Sequence, residues 1–492
     1  MSDRSSVLHV SAAEGGGADR YIRDVAASVP RRHFLWHVGS GLDVIEDIGR
    51  ERFFPLSERL TGSEGPRLLR KWLEASGIAA VHLHGVGVQC RDRLALVRRA
   101  LPLPWLVTLH DLGFVNPDAF SVPVLKPDAA WIAEVASTLS GAAAVLAPSG
   151  FVRDLAAQHF PGVRCDVIPP GIDSSRLRAA ASIPPDFAAH APALRVAVVG
   201  AIGPHKGSAP LAALVDRLNG SGIGIVVIGY TDSQLRRGWS TPGRYYVHGP
   251  YVDAELPALL RAYAVEVVLF PNRLPESFSY TLSEVWAAGV PVIVPEDGAL
   301  MERVATHGGG WILTAPFSPN EAAALLKRLL APGSAAERSR VKSRIDPRDP
   351  ARIPTLEAMA RDIDALYRRF GLAPAPSADV TPDAGEQALR PLLAANLNGF
   401  AFRRELVKLA DEAAQLSTAV EQSTPWVTKL ERDVREAQAW ARKLEHDVEV
   451  LKAESETLFQ QNRRLADDKA AFDQLPLVVR KLLLKKVFRA RR

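Results

Sequence analysis

Two glutamates eight residues apart, Glu276 and Glu284, follow an apolar run at residues 265–270. If the segment between them is helical, their carboxylates lie up to about 12 Å apart along the axis. This span is too long for a shared proton, but it is comparable to the distance from a hexose, across a diphosphate, to a ribose. A helix start between them would present free N–H groups and a positive dipole end to the diphosphate. Spacing alone still favours two ordinary surface glutamates, because such pairs are common.

Glycines and a histidine follow two other apolar runs. Gly16 and Gly17 belong to a glycine triplet after the run at residues 7–10, where missing side chains let a backbone approach a ligand and expose its N–H groups. His110 follows the run at residues 105–108. If both runs are strands of one parallel sheet, these residues lie at its ligand-binding edge. A flexible turn and a loop histidine satisfied by its neighbours are the simpler alternatives.

The segment around the two glutamates also resembles a known family. Glu276 and Glu284 match the E-x7-E pattern of retaining GT-B glycosyltransferases, and the run at 286–292 resembles glycosyltransferase family four, also called glycosyl transferases group one. The resemblance implies that Glu276 contacts the hydroxyls of the donor sugar. It also implies that Glu284 contacts the ribose of the nucleotide, so the expected donor is a nucleotide-diphosphate sugar.

Residues 200–207 are similar to the phosphate-binding loop of that family. The resemblance places Gly203 in the donor site and implies that Lys206 holds the donor diphosphate, where a compact charge neutralises the departing nucleotide. The family usually has an arginine where this chain has Ala201. One cationic contact is therefore lost, or another residue supplies it.

The resemblance extends to the helix start and to the first part of the chain. Phe278 and Ser279 are implied to be donor-binding, with Ser279 at a position where the family often has glycine. Gly16 and Gly17 are implied to lie near the donor phosphate and the acceptor, and His110 beside the donor sugar. GT-B enzymes generally use cationic side chains and helix ends in place of a divalent ion. Neither a metal nor another cofactor is therefore expected.

Short apolar runs alternate with longer amphipathic segments over the first 370 residues. Such runs predict parallel strands with helices on both faces of a sheet. The predicted strands are 7–10, 34–38, 79–83, 105–108, 143–147 and 166–168 in a first series, and 195–199, 224–228, 245–248, 265–270, 290–294 and 311–313 in a second. The expected fold class is α/β, with two doubly wound Rossmann-like lobes (GT-B) and the ligand between them. We place these lobes at 1–185 and 186–371, the second ending in a closing helix at 350–371.

The rest of the chain predicts a linker and a coiled coil. Residues 372–398 are rich in alanine and proline, which is typical of a linker. Residues 399–475 carry a seven-residue apolar repeat typical of a coiled coil, and Pro425 divides it into two helices. Valine or alanine at one core position and leucine at the other favour a parallel homodimer. A helical pair that folds back on the catalytic domain is the alternative.

The last segment, residues 476–492, interleaves apolar residues with seven cations and has no acidic residue. This composition predicts an amphipathic tail on an anionic membrane surface, with a solvated coiled-coil end as the alternative. The net charge of the chain is +5, so the rest of the chain carries −2. Because the basicity belongs to one tail and no zinc-finger or aromatic–basic motif is present, we expect no nucleic-acid partner.

Targeting signals and cysteine usage bear on the compartment. The first twenty residues have no apolar stretch followed by a small-residue cleavage site, and no run of eighteen apolar residues occurs in the chain. Two cysteines, Cys90 and Cys165, cannot form a disulfide framework. We therefore expect a cytoplasmic protein that binds peripherally to the inner face of the membrane.

These observations predict a retaining glycosyltransferase that moves a sugar from a nucleotide-diphosphate sugar to a glycan or lipid-linked acceptor, in cell-surface polysaccharide or lipopolysaccharide synthesis. A nucleotide-sugar epimerase of the same fold would alter the donor without an acceptor. A non-catalytic coiled-coil scaffold with degenerate lobes is favoured slightly by Ala201, but Lys206, Glu276 and Glu284 argue against it. A nicotinamide dehydrogenase is disfavoured because no G-x-G-x-x-G follows the first strand.

Overall fold

The computed structural model describes residues 5–393 except for 14, 39–42, 120–124, 178–179, 235 and 373–382, together with eight positions between 452 and 469. The chain divides into two units, Met1–Leu397 and Asn398–Arg492. The predicted coiled coil at 399–475 and the predicted tail at 476–492 lie outside the described residues, apart from those eight helical positions. The homodimer and the membrane tail therefore stay predictions.

The first lobe is built on an eight-stranded sheet. Its strands are β1 (Ser6–Ser11), β2 (His33–Val38), β3 (Asp43–Asp47), β4 (Arg52–Pro55), β5 (Ile78–His84), β6 (Trp105–Thr108), β7 (Ala144–Ala147) and β8 (Cys165–Val167). They lie in the order β4-β3-β2-β1-β5-β6-β7-β8. The six predicted strands are present and parallel, whereas the antiparallel edge strands β3 and β4 were not predicted. The reason is that β3 carries Asp43, Glu46 and Asp47 and so has no continuous apolar run.

The second lobe is built on a seven-stranded sheet. Its strands are β9 (Leu194–Ile202), β10 (Ile223–Thr231), β11 (Gly238–Thr241), β12 (Tyr245–Gly249), β13 (Val267–Leu269), β14 (Val292–Pro295) and β15 (Gly310–Leu313). They lie in the order β11-β12-β10-β9-β13-β14-β15, and only the short edge strand β11 is antiparallel among them. The two parallel-dominated sheets confirm the predicted pair of Rossmann-like lobes.

Helices cover the faces of both sheets. In chain order they are α1 (Gly16–Ser28), α2 (Gly65–Ala75), α3 (Val88–Ala100), α4 (Ala129–Ser140), α5 (Gly150–His159), α6 (Pro185–Ala189), α7 (Ser208–Arg217), α8 (Leu256–Ala262), α9 (Tyr280–Ala287), α10 (Gly298–His307), α11 (Pro319–Leu330), α12 (Ala335–Ser343), α13 (Leu356–Arg369) and α14 (Asp383–Leu389). Among the described residues, no helix is long and apolar enough to cross a membrane.

Two segments near the end of the first unit pack differently from the sequence prediction. The predicted closing helix of the second lobe is α13, but Ile363 and Tyr367 pack with Val7 and Tyr21 in a core of the first lobe. The predicted linker contains α14, after which Leu392 is buried in the other core of that lobe. Both helices are amphipathic, and their sequences do not specify which lobe receives their apolar faces. The first lobe therefore includes chain from well beyond residue 185.

Candidate active site

A cavity of about 1100 Å³ lies between the two lobes, at the carboxyl ends of their parallel strands. Loops from both sheets line it, as expected for doubly wound sheets that bind a ligand at this edge. Eight of the nine residues predicted from the sequence line this cavity: Glu276, Lys206, His110, Glu284, Phe278, Ser279, Gly16 and Gly17. The ninth, Gly203, is not a lining residue, but its carbonyl accepts a hydrogen bond from the Lys206 N–H.

Glu276 lies in the loop after β13 and is positioned by the start of α10. Its carbonyl accepts a hydrogen bond of 2.9 Å from the Ala299 N–H. A Cβ atom at Gly298 would come within 2.9 Å of the Glu276 backbone, so the close approach depends on glycine. On the side chain, Oε1 accepts a hydrogen bond of 2.8 Å from Asn272 and lies 4.0 Å from the Lys206 ammonium.

Lys206 ends a short 3-10 helix, Pro204–Lys206, that follows β9 after a single residue, Gly203. The next residue, Gly207, has a φ of +83°, and a Cβ there would lie 1.9 Å from the carbonyl oxygen of Pro271. Only glycine therefore fits this turn. The turn brings the segment that carries Lys206 into contact with the loop after β13. The Lys206 ammonium group and the Glu276 carboxylate therefore face the same cavity.

Phe278 and Ser279 form the turn that starts α9. Ser279 has a φ of +76°, which explains why glycine is frequent at this position in the family that the sequence resembles. Its hydroxyl caps the helix by accepting a hydrogen bond from the Leu282 N–H. The buried Arg303 of α10 donates to the Ser279 carbonyl at 3.0 Å and lies over the Phe278 ring. The guanidinium therefore stabilises this turn in addition to the cap.

The strain at Ser279 can be measured by replacing it with glycine. We expect Ser279→Gly to be more stable than Ser149→Gly, with a free energy of unfolding about 1–3 kcal/mol higher. Ser149 is a matched control because it caps α5 through the same type of hydrogen bond, but at an ordinary φ of −153°. Both variants lose a cap and add a glycine to the unfolded chain, so the difference isolates the strain. Equal destabilisation in urea denaturation would contradict it.

Glu284 forms an ion pair that the sequence did not predict. Its Oε1 lies 2.6 Å from the guanidinium of Arg20, which also contacts Asp253 at 2.9 Å and stacks over the Tyr280 ring. The Glu284 side chain is only 2% exposed. Burial raises the pKa of Glu284, and the positive charge of Arg20 opposes that rise. Arg20 belongs to the first lobe and Glu284 to the second, so this ion pair joins the lobes across the cavity.

Arg20 is the main cavity residue that the sequence analysis missed. It lies in the first turn and a half of α1, three residues after the glycine triplet, and it lines the same cavity as Lys206. Arg20 lies four residues after Gly16, so the two residues share one face of the helix. This spacing is the local signal that could have identified Arg20. Its partner is 264 residues away in the chain, so no sequence spacing predicts the pair.

His110 lies at the carboxyl end of β6 on the first-lobe side of the cavity. Its ring Nε2 is 2.8 Å from Nδ1 of His84, and its backbone carbonyl accepts a hydrogen bond from the Ser277 hydroxyl of the second lobe. Burial lowers the pKa of His110 to about 3, so the ring is neutral at physiological pH. A neutral imidazole beside this cavity is suited to hydrogen bonding rather than to binding an anion by charge.

Two family models match consecutive parts of the chain. The model described as Glycosyltransferase Family 4 matches residues 15–176, and the model described as Glycosyl transferases group 1 matches residues 193–332. Between them they cover every predicted site residue and every strand of the two sheets except β1. The chain is a glycosyltransferase, with a family 4 domain followed by a group 1 domain. This glycosyltransferase is therefore an enzyme, and the resemblance stated from its sequence motifs is confirmed.

Solved structures share the fold of this glycosyltransferase. Sucrose-phosphate synthase from Thermosynechococcus elongatus has 19% sequence identity, with a TM-score of 0.56 over 75% of this chain and 99% of its own. HepE of Anabaena in complex with UDP and glucose has 17% identity and a TM-score of 0.55, over 74% of this chain and 100% of its own. A glycosyltransferase from Rickettsia africae has 14% identity and a TM-score of 0.54, over 75% and 99% of the two chains. No curated protein sequence matches the chain.

Proposed function

We propose that this glycosyltransferase is a retaining enzyme that transfers a sugar from a nucleotide-diphosphate sugar to a glycan or lipid-linked acceptor, in the synthesis of a cell-surface polysaccharide or lipopolysaccharide. The observation that carries the proposal is the convergence of Lys206, Glu276 and Glu284 on one cavity between the lobes. The two carboxylates have different surroundings, one beside an ammonium group and one in a buried ion pair. Different surroundings suit different parts of one ligand.

The donor diphosphate belongs beside Lys206 and the start of α9. The ammonium group supplies a positive charge, and the first N–H groups of the helix point outward without intrahelical partners. Both stabilise the negative charge that grows on the diphosphate as the bond to the sugar breaks. Glu276 then faces the sugar, where its carboxylate accepts hydrogen bonds from hydroxyl groups while Asn272 holds one of its oxygens.

The nucleotide ribose belongs beside Glu284. A carboxylate has about four lone-pair sites on two oxygens, so Glu284 can keep its contact with Arg20 and still accept hydrogen bonds from ribose hydroxyls. In this arrangement Arg20 supplies the second cation of the donor site, in place of the arginine that the family usually has at the position of Ala201. Arg20 lines the cavity together with Gly16 and Gly17 of the glycine triplet, which supports this assignment.

The acceptor belongs on the first-lobe side, where Gly16, Gly17 and His110 line the cavity. A Cβ atom at Gly17 would lie 3.6 Å from the Tyr280 ring of the second lobe, so the glycine loop lies directly across from the start of α9. Because the proposed diphosphate lies at that helix start, the proposed acceptor surface faces the donor across the cavity.

A donor screen followed by product analysis tests the function. The full chain is incubated with UDP-, GDP- and ADP-sugars, and a rise in melting temperature identifies the donor. UDP-sugars are the first to test because the HepE structure contains UDP and glucose. Proton NMR of the anomeric signal during transfer to a simple acceptor should show the donor configuration retained. Inversion would refute the retaining mode, and an altered nucleotide sugar formed without acceptor would support the epimerase.

We propose that no divalent ion takes part in donor binding, since Lys206, Arg20 and the start of α9 supply positive charge in the cavity. We expect the turnover of dialysed enzyme to be unchanged, within a factor of about two, in excess EDTA. The measurement is the initial rate with and without the chelator, with magnesium restored as a control. A complete loss of turnover that magnesium reverses would contradict this proposal.

We propose that the coiled coil at 399–475 forms a parallel homodimer and that the tail at 476–492 binds anionic membranes. Each cation near such a surface contributes about 1 kcal/mol, so seven are enough for stable attachment. We expect the full chain to float with anionic liposomes and a chain ending at residue 475 to stay in solution. Light scattering should give a dimer for the full chain and a monomer after truncation at Gly399. Equal flotation of both chains would refute the membrane tail, and a monomeric full chain would refute the homodimer.

A further inference from the structure

Five histidines of the first lobe lie together at the cavity, and two of them, His84 and His110, line it. Strand register explains the cluster, because His9 of β1 lies opposite His82 of β5, and successive even-numbered positions of β5 point to the same face. One further histidine lies at the start of the neighbouring strand β2, and another lies two residues after the end of β6. The five side chains are His9, His33, His82, His84 and His110. The glycosyl transfer proposal uses only the last of them.

Four of these rings form one continuous chain of hydrogen bonds. It starts at the backbone carbonyl of Val29, which lies 3.2 Å from Nε2 of His33. Nδ1 of His33 is 2.8 Å from Nε2 of His9, and Nδ1 of His9 is 2.8 Å from Nε2 of His84. Nδ1 of His84 is 2.8 Å from Nε2 of His110, which lines the cavity. The same nitrogen pattern repeats at each link.

The rings in this chain are neutral. Burial lowers the pKa of His33 to about 4 and that of His110 to about 3, and it lowers the pKa values of His9 and His84 well below the usual range. A neutral imidazole has one N–H group, which donates, and one bare nitrogen, which accepts. Every link therefore needs a donor on one ring and an acceptor on the next, so all links must run in the same direction.

The carbonyl at the start sets that direction. A carbonyl oxygen can only accept, so Nε2 of His33 carries the proton and Nδ1 of His33 is bare. Nε2 of His9 must then donate, and the same condition passes through His84 to Nε2 of His110. The remaining ring nitrogen of His110, Nδ1, is left bare.

We propose that the Val29 carbonyl acts through His33, His9 and His84 to fix His110 as the Nε2–H tautomer, so that His110 presents a hydrogen-bond acceptor to the substrate. His33, His9 and His84 are positioning residues in this scheme. Under the proposed function, on which this role rests, the bare Nδ1 of His110 accepts a hydrogen bond from a hydroxyl group of the sugar or acceptor. A phosphate oxygen, which needs a donor, is not a suitable partner for that nitrogen.

A metal ion is the main alternative occupant of the cluster. One ligand atom from each of His9, His82 and His84 lies within 4.8 Å of the others. However, both nitrogens of His82 are engaged, at 2.8 Å from the Tyr367 hydroxyl and 2.7 Å from the Thr108 hydroxyl. The 2.8 Å between His9 and His84 suits an N–H···N bond and is shorter than the roughly 3.3 Å that separates two nitrogens on a tetrahedral zinc ion. The hydrogen-bond chain therefore accounts for the geometry better.

Nitrogen NMR of the full chain tests the inference directly. Long-range 15N–1H correlation spectra of protein labelled at histidine distinguish a protonated from a bare ring nitrogen, without substrate or turnover. We expect the wild type near neutral pH to show bare Nδ1 and protonated Nε2 at His110, assigned by comparison with His110→Gln. A protonated Nδ1, an averaged pair of nitrogens, or about one equivalent of zinc in the purified protein would overturn the proposal.

A variant tests the role of the carbonyl. We expect His33→Phe to shift the His110 nitrogens towards average values, because the chain then lacks its fixed acceptor. The control is His190→Phe on the exposed surface of the second lobe, which should leave them unchanged. An unchanged His110 in folded His33→Phe would overturn the proposal. If His33→Phe does not fold, the wild-type spectrum decides alone. None of these spectra depends on glycosyl transfer. Failure of the tautomer proposal can therefore be distinguished from failure of the proposed function.

Discussion

Replacing Lys206 with alanine is expected to lower kcat by about a hundredfold or more, with little change in the melting temperature. The ammonium group lies 4.0 Å from Glu276 and faces the cavity, where it stabilises the negative charge of the leaving nucleotide. Loss of one group that stabilises charge in a transition state typically costs a factor of about 100 to 1,000. The side chain is one-third exposed, so its loss leaves no cavity in a core. Steady-state rates with the identified donor measure the effect.

The matched control is Lys342→Ala, which removes an exposed lysine from α12 of the same lobe and should leave kcat unchanged. Glu276→Gln should resemble Lys206→Ala, because both side chains act on the same donor. If Lys206→Ala kept wild-type turnover on the true donor, the assignment of the phosphate position would be wrong.

The second large effect is expected at Glu284. Replacing it with alanine should weaken binding of the free nucleotide by about tenfold to a hundredfold, because a hydrogen bond to a charged group contributes about 1.5–3 kcal/mol. The ribose contact belongs to the nucleotide alone, so the effect should appear without any sugar on the ligand. Calorimetric titration with the nucleoside diphosphate measures it. Glu357→Ala, an exposed glutamate at the start of α13, is the control.

Arg20 separates two interpretations of the ion pair at Glu284. If Arg20 supplies a cation to the donor, Arg20→Ala should weaken nucleotide binding. If Arg20 only blocks the carboxylate, its removal should strengthen binding. We expect weaker binding, and a double-mutant cycle with Glu284→Ala should show coupling because the two groups are in direct contact at 2.6 Å. Tighter binding by Arg20→Ala would contradict the proposed role.

The predictable parts of the site are those that lie close together in sequence. Glu276, Phe278, Ser279 and Glu284 belong to one loop and helix, so a local pattern is enough to bring them to one cavity. Lys206 follows a strand of the same sheet, and parallel strands meet at one edge. The two lobes followed from the same physics, since buried parallel strands appear as continuous apolar runs.

The unpredicted parts depend on contacts between distant segments. Arg20 meets Glu284 only because the two lobes face each other, and α13 selects the first lobe through packing that its own amphipathic pattern does not specify. His9, His33 and His84 look like isolated histidines until strand register brings them side by side. The one local signal of the cluster is that His82 and His84 lie two residues apart in β5 and therefore share a face of the sheet.

A crystal structure of the protein with the nucleoside diphosphate that the donor screen identifies is the most direct test of the proposed donor site. We expect the diphosphate beside Lys206 and the start of α9, and a ribose hydroxyl within hydrogen-bond distance of Glu284. Arg20 should remain in contact with Glu284 or with a phosphate oxygen. A nucleotide bound outside the cavity between the lobes, or one with its ribose away from Glu284, would contradict the proposed donor site.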